Sequence, residues 1–191
     1  MASVEIKAPA AVPILKIDTM TVQTDQWTQY LQFDMLLSDP PDEENFYLVY
    51  LKSINYMSMT DEYGHTTYYA DTIFEYIETD DVLLGNNNNF SMEYGLVFND
   101  GLFNGKTQDI KFKTYYNRWG ELKVYQVILQ SISEDYYNYI VTSGLYNSTD
   151  GNPIAEPVSV RSNVKDGFGM VTIINRSIDS SIMITGQGYN Y

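Results

Sequence analysis

The chain has no cysteine and a single histidine, His65, in 191 residues. The first absence excludes disulfides, thiolate zinc sites and cysteine nucleophiles together. The second excludes His–His metal clusters and leaves only His65 as the base of a serine triad. Basic residues are also scarce. Eleven Lys and Arg stand against 25 Asp and Glu, giving a formal charge of −14. Such a balance cannot neutralise a run of phosphates, which excludes a nucleic-acid binder, and it offers no basic patch to an anionic membrane. No apolar run approaches the ~20 residues that span a bilayer. Walker A and Rossmann glycine patterns are missing, as is the G-x-S-x-G elbow. No cofactor is implied.

What is present is a globular composition, 44% apolar and 19% charged, of a length suited to one domain. Tyrosine is abundant, at 18 residues. Its ring favours strands and wet interfaces. The composition reads first as a β-protein with exposed rings, and second as a surface where flat rings stack on a sugar or peptide.

Residues 1–11 read as a flexible lead-in, 12–185 as a single β-sandwich domain, and 186–191 as a frayed tail. Trp27, Leu31, Phe33, Met35 and Leu37 recur with period two, which predicts a strand with one buried face. An acidic, proline-containing loop follows from Ser38 to Asn45. Residues 46–56 are apolar on both faces and predict a central strand covered on both sides. Residues 57–107 read as a long insertion, with Glu62-Tyr63-Gly64-His65 at a hairpin tip and 71–77 as either a short helix or a strand. Ile110, Phe112, Thr114 and Tyr116 alternate cleanly. Asn117-Arg118-Trp119-Gly120 reads as a tight turn, and 122–132 is expected to return as the antiparallel partner.

A helix is predicted over 133–144. Ser133 is placed to cap it, Glu134 and Asp135 favour its dipole, and Ile132 and Tyr137 are spaced for a hydrophobic staple. Gly144 is the expected stop, and the helix is expected to plug one end of the sandwich. Short strands are expected at 170–174 and 182–184, the second at an edge. Asp166-Gly167-Phe168-Gly169 reads as a turn with special backbone angles.

Chemistry-bearing patterns are few. His65 reads as an exposed loop residue, and no catalytic residue is assigned. Asp39, Asp42, Glu43 and Glu44 form one acidic cluster, and Glu78, Asp80 and Asp81 form another. Neither follows the alternating ligand pattern of a calcium loop, so both read as solvated loops and no metal site is assigned. Lys106, Lys111, Lys113, Arg118 and Lys123 gather five of the eleven basic residues around one proposed hairpin. They read as a solvated strand face, or as a docking face for an acidic partner. Four aromatics are candidate ligand contacts: Trp119 at the hairpin tip, with Tyr115, Tyr63 and Tyr68.

Several motifs in order carry a resemblance. They lie at 33–47 (with Asp39-Pro40-Pro41 and Asn45-Phe46-Tyr47), at 99–106 (Asn99-Asp100-Gly101 and Asn104-Gly105-Lys106) and at 127–139. They continue through Glu156-Pro157-Val158 and Ser162-Asn163-Val164-Lys165-Asp166-Gly167-Phe168-Gly169. The chain resembles the Bacteroidota outer-membrane lipoprotein family of unknown function (domain of unknown function 4249), whose genes often accompany SusC-like TonB-dependent transporters. Members usually begin with a signal peptide, a lipidated cysteine and an amino-terminal β-domain, so this chain is expected to be the carboxy-terminal part. The resemblance implies an exported protein at the outer membrane and cell surface, reaching the membrane only through a lipid anchor absent from this chain. Its implied partners are a SusC-like transporter and other surface lipoproteins. The family supplies no catalytic residues to carry over.

The expected fold is mainly β: an immunoglobulin- or fibronectin-like antiparallel sandwich with a long insertion and one short helix. The expected function is a non-enzymatic accessory or binding lipoprotein for glycan or peptide uptake. One alternative is a structural or adhesive appendage subunit using strand addition. Another is a carboxylate-dependent glycoside hydrolase, which requires two carboxylates about 5–9.5 Å apart in a cleft.

Overall fold

Along β2 (Gln29–Ser38), Leu31, Phe33, Met35 and Leu37 are buried while the residues between them stay partly exposed. Trp27, expected on the same face, is instead 87% exposed in the turn that precedes β2. Asp25 Oδ1 accepts the backbone N–H groups of Trp27 and Thr28 at 2.7 Å each. This side-chain-closed turn breaks the alternation before the strand begins.

The computed structural model describes residues 2–81, 84, 95–116, 122–149 and 158–185. Among them, β2 lies between β1 (Ile14–Gln23) and β6 (Thr107–Tyr115) in a three-stranded antiparallel sheet. Phe33 faces Phe112 across the β2–β6 ladder, and their rings stack at 5.3 Å. The second sheet is antiparallel and five-stranded, in the order β4-β3-β7-β8. Its members are β3 (Phe46–Thr60), β4 (Thr66–Glu75), β7 (Leu122–Ile132) and β8 (Asn175–Thr185), with β5 (Gly95–Asn99) paired to the first residues of β3.

The strand with apolar residues on both faces is the central one, as expected. Tyr47, Val49 and Leu51 of β3 enter the core between the sheets. Phe46 and Leu48 point the other way, into a second cluster with Val97, Ile132, Tyr137 and Ile140. The last two belong to α1 (Glu134–Thr149). The helix therefore covers the outer face of the large sheet at one end and does not plug the sandwich. Ser133 caps it as predicted, its Oγ accepting the Tyr136 N–H at 3.3 Å. Gly144 does not stop the helix, which runs on to Thr149.

The expected β6–β7 hairpin is not formed. β6 pairs with β2, and β7 pairs with β3 and β8. The connection, including Arg118 and Trp119, lies outside the described residues. Burial explains the partition. β6 hides only alternate residues, which suits a sheet with one solvated face. From Val127 to Ile132, β7 is buried on both faces, which suits the sheet that carries the helix. Shortness of a loop favours pairing, but a sandwich can use a short connection to pass between layers.

The segment 71–77 resolves mostly into β4 and is not helical. The expected strand at 170–174 is irregular, whereas the one at 182–184 is part of a longer strand, β8. Asp166 and Gly169 have φ values of 58° and 132°, the special angles expected of that turn. The lead-in is tied down at two points: Ser3 bridges Lys165, and Asn175 Nδ2 donates to the Pro9 carbonyl at 2.5 Å.

Candidate functional site: an aromatic ribbon at a sheet edge

β3 outruns its neighbour. β7 accompanies it only to Tyr56, whereas β4 pairs with it through Thr60. Residues 57–60 and 66–69 therefore extend beyond the sandwich as a two-stranded ribbon. Its tip is fixed by Asp61. Asp61 Oδ1 accepts the N–H groups of Tyr63 and His65 at 2.9 and 2.8 Å, and Oδ2 lies 3.1 Å from His65 Nδ1. These bonds, led by the His65 N–H, hold the Asp61 carboxyl below its ordinary value. Gly64 completes the turn at φ 85°. His65 is an exposed hairpin residue, and what its ring does here is orient a turn.

Strand register sorts the ribbon's side chains. Lys52 faces Phe74, Tyr56 faces Ala70 and Ser58 faces Tyr68 on the outer side. Ser53 faces Ile73, Met57 faces Tyr69 and Met59 faces Thr67 on the other. Tyr63 and Tyr68 are 78% and 79% exposed, and Tyr56, Met59, Tyr69, Ile73 and Phe74 are exposed too. The ribbon thus carries solvent-facing rings on both sides. Phe74 continues the outer row onto Tyr50, their rings meeting edge-on at 6.0 Å. Burial, with a smaller push from Tyr136, raises the Tyr50 phenol to about 12. Among the described residues, β4 pairs on one side only.

A polar knot anchors the root of the ribbon. Lys123 Nζ sits 2.6 Å from Glu75 Oε1, which also accepts Ser53 Oγ–H at 2.6 Å. The same ammonium lies 5.0 Å above the ring of Tyr125, which is fully buried. Lys123 is thereby turned into the sandwich. Lys113 pairs with Asp80 at 2.5 Å in the other sheet. Among the described residues, Lys106, Lys111, Lys113 and Lys123 do not form one docking face, because β6 and β7 separate.

Of the four aromatic candidates, the structure brings Tyr63 and Tyr68 together on one hairpin. Tyr115 belongs to the small sheet, where its ring packs on Tyr30 at 4.8 Å. Trp119 lies outside the described residues. Sequence reading missed Tyr56, Met59, Tyr69 and Phe74. For Tyr69 and Phe74 the available signal was the stretch 66–75, which holds three Thr, two Tyr, an Ile and a Phe and lacks any basic residue. It also missed Phe168, which is fully exposed.

Carboxylates gather in a cleft of about 580 Å3 between the lead-in, the start of β3 and the start of α1. Glu5, Glu43, Glu44, Glu134 and Asp135 line it. Glu43 pairs with Lys7, and Asp135 pairs with Arg161 at 3.2 Å. Glu5, Glu44 and Glu134 face solvent. A carboxyl that must hold a proton for glycoside hydrolysis is normally made by enclosure in an apolar pocket, and these three lack it. Among the described residues, no group of three His, Cys, Asp or Glu is arranged to hold a metal ion. Of the two acidic clusters, Glu78 bridges β6 at Lys113, Asp80 pairs with Lys113, and Asp39 turns inward.

The fold and this surface define a two-sheet β-domain with a helix on one face and an aromatic ribbon at one edge. The chain belongs to the family described as Domain of unknown function (DUF4249), which it matches over residues 1–178. Comparison with curated proteins and with solved structures gives no match.

Proposed function

We propose that this domain is a non-enzymatic binding module of a cell-surface accessory lipoprotein, and that its ribbon and the open edge of β4 hold an extended peptide delivered to a SusC-like, TonB-dependent uptake system. The observation that carries this reading is the exposure of Tyr68, Tyr69 and Phe74 along edge strand β4, with Tyr63 at its turn, on a strand whose outer side has no partner among the described residues. An open edge offers backbone N–H and C=O groups to a visiting strand, and rings on alternate positions supply side-chain contacts. Long exposed edges are otherwise blunted by lysine or proline. Residues 66–75 contain neither.

Charge supports a cationic peptide. The exposed acids of the β3–β4 hairpin are Asp61, Glu62 and Asp71, residues 53–75 contain no Lys or Arg, and complementary fields steer encounter. A second copy of the chain is the poorer fit, because two such edges repel. The scaffold is read as immunoglobulin-like. The order β1-β2-β6 against β4-β3-β7-β8 supports A-B-E packed on C′-C-F-G, with β5 and α1 as additions.

Peptide and glycan arrays probed with the wild-type domain and with Tyr63→Ala/Tyr68→Ala test the proposal. Retention of basic, β-prone peptides, weakened at least tenfold by the double substitution, is the expected result. Silence on both arrays, or binding indifferent to the substitutions, refutes it. Glycan-only retention that the substitutions abolish keeps the ribbon as the site and discards the peptide.

A further inference from the structure

At the opposite end of β3 from the ribbon, two buried carboxyl groups meet. Asp39 follows β2 in the small sheet, and Asp100 follows β5 in the large one. Asp39 is 4% exposed and Asp100 is fully buried. The surrounding donors can be followed atom by atom. Tyr47 donates its hydroxyl to Asp39 Oδ1, and the Gly105 N–H reaches Asp39 Oδ2 at 2.8 Å. Asn45 gives Asp100 Oδ2 both its backbone N–H, at 2.9 Å, and its Nδ2, at 3.3 Å. Asp100 Oδ1 has no partner in the protein.

An orphaned carboxylate oxygen beside a second buried carboxylate is costly twice over, through desolvation and through like charge. One proton removes both costs. We propose that Asp39 and Asp100 share a single proton, seated on Asp100 Oδ1 and directed at Asp39, so that this junction is a clasp between the two sheets that closes when the proton is bound and loosens when it leaves.

The position of the proton follows from the bonds already made. Both Asp39 oxygens are acceptors, one of them to a backbone N–H that cannot reverse. Of the four carboxylate oxygens, Asp100 Oδ1 is the one that no N–H or O–H donor already fills. Burial, and then the charge and hydrogen bonding of Asp100, push the Asp39 carboxyl up against the opposing pull of Tyr47 and Gly105. The neighbouring charges are turned away or spent. Glu43 pairs with Lys7, Glu44 accepts the Asn99 amide at 3.5 Å, and Asp42 and Lys106 face solvent. A cation is the weaker occupant, because three of the four carboxylate oxygens already receive N–H or O–H donors whose positive ends face inward.

The consequence for pH has a definite sign. The folded junction holds a proton that the unfolded chain releases at the ordinary Asp value. Its contribution is therefore complete below about pH 4 and declines as the pH rises through the folded value. The junction joins the loop after β2 to the loop before β6, through the Asp39 N–H to the Lys106 carbonyl at 3.1 Å. Losing the proton loosens this end of the sandwich and leaves the ribbon at the other end untouched.

Asp100→Asn tests the assignment, since an amide Nδ2 at the Oδ1 position donates to Asp39 permanently. The expected result is a melting temperature at neutral pH at or above wild type, with the decline toward alkaline pH lost. Asp100→Ala, which also forfeits the Asn45 bonds, is expected to melt lower at every pH. The wild-type protein is expected to show the infrared carbonyl stretch of a protonated carboxyl at neutral pH, shifted by isotope-labelled aspartate. Absence of that band overturns the proposal whether or not the variants fold. So does Asp100→Asn melting as low as Asp100→Ala, or millimolar calcium raising the melting temperature of wild type but not of Asp100→Asn, which would make the orphan oxygen a cation ligand.

Discussion

The two ends of β3 treat polar and aromatic side chains in opposite ways. At its start, Tyr47 is buried with its hydroxyl on Asp39, and its ring lies 5.3 Å from Phe98. At its far end, Tyr56, Tyr63 and Tyr68 stand in solvent. The same residue type serves as a core ring with a satisfied tip in one place and as an exposed face in the other. The difference lies in the company each keeps. The start of β3 is flanked by β5, β7 and α1, whereas its last four residues have β4 alone. Tyrosine count therefore reports neither core nor surface until strand neighbours are assigned.

The contrast breaks most sharply at Gly105, which has φ 72° and where a Cβ would lie 2.8 Å from Pro41 Cβ. Gly105→Ala is expected to destabilise the fold by about 2–4 kcal/mol, from backbone strain and overpacking together, as read by urea unfolding. Losing less than about 1 kcal/mol would show that the clasp yields easily.

Lys123→Ala comes next. It leaves Glu75 with Ser53 alone at the root of the ribbon. A loss of about 1–3 kcal/mol is expected, since the carboxylate is largely enclosed, with hydrogen exchange in β4 rising before that in β2. Uniform exchange would mean that the ribbon and the sandwich open together.

Tyr63→Ala/Tyr68→Ala should change stability by no more than about 0.5 kcal/mol, because neither ring packs into the core. Its effect belongs to peptide retention. A clear drop in melting temperature would show that the ribbon contributes to the fold.

The smallest effect is the acid response of the ribbon tip. Asp61 is held below its ordinary value, so its bonds are complete at neutral pH and fail as the pH falls below about 4. Amide resonances of Tyr63 and His65 should shift in that range while those of β2 stay fixed. The clasp runs in the opposite direction, and that opposition distinguishes the two ends in one titration.

Much of the architecture was legible as period and burial. The alternation of Leu31, Phe33, Met35 and Leu37 and of Ile110, Phe112 and Thr114, the doubly apolar 46–56, and Ser133 as a cap all appear in the structure. The failures share one cause. Trp27 continued the alternation of β2 on paper, but Asp25 closed a turn first. β6 and β7 looked like a hairpin, yet each paired elsewhere. Asp39 looked like one acid among several in a solvated loop, because its partners Tyr47, Asp100 and Gly105 lie 8, 61 and 66 residues away.

By itself the sequence determined that this protein is a β-rich acidic domain, and it marked the apolar side of β2 and β6, the doubly covered β3 and the start of α1. These properties follow from local spacing, because alternate side chains leave a strand on opposite faces. Only the tertiary structure decided which strands pair, which acids are taken out of water and which tyrosines remain in it. Those choices depend on contacts between distant segments, where a side chain's environment is set by the layer opposite it and not by its neighbours in the chain.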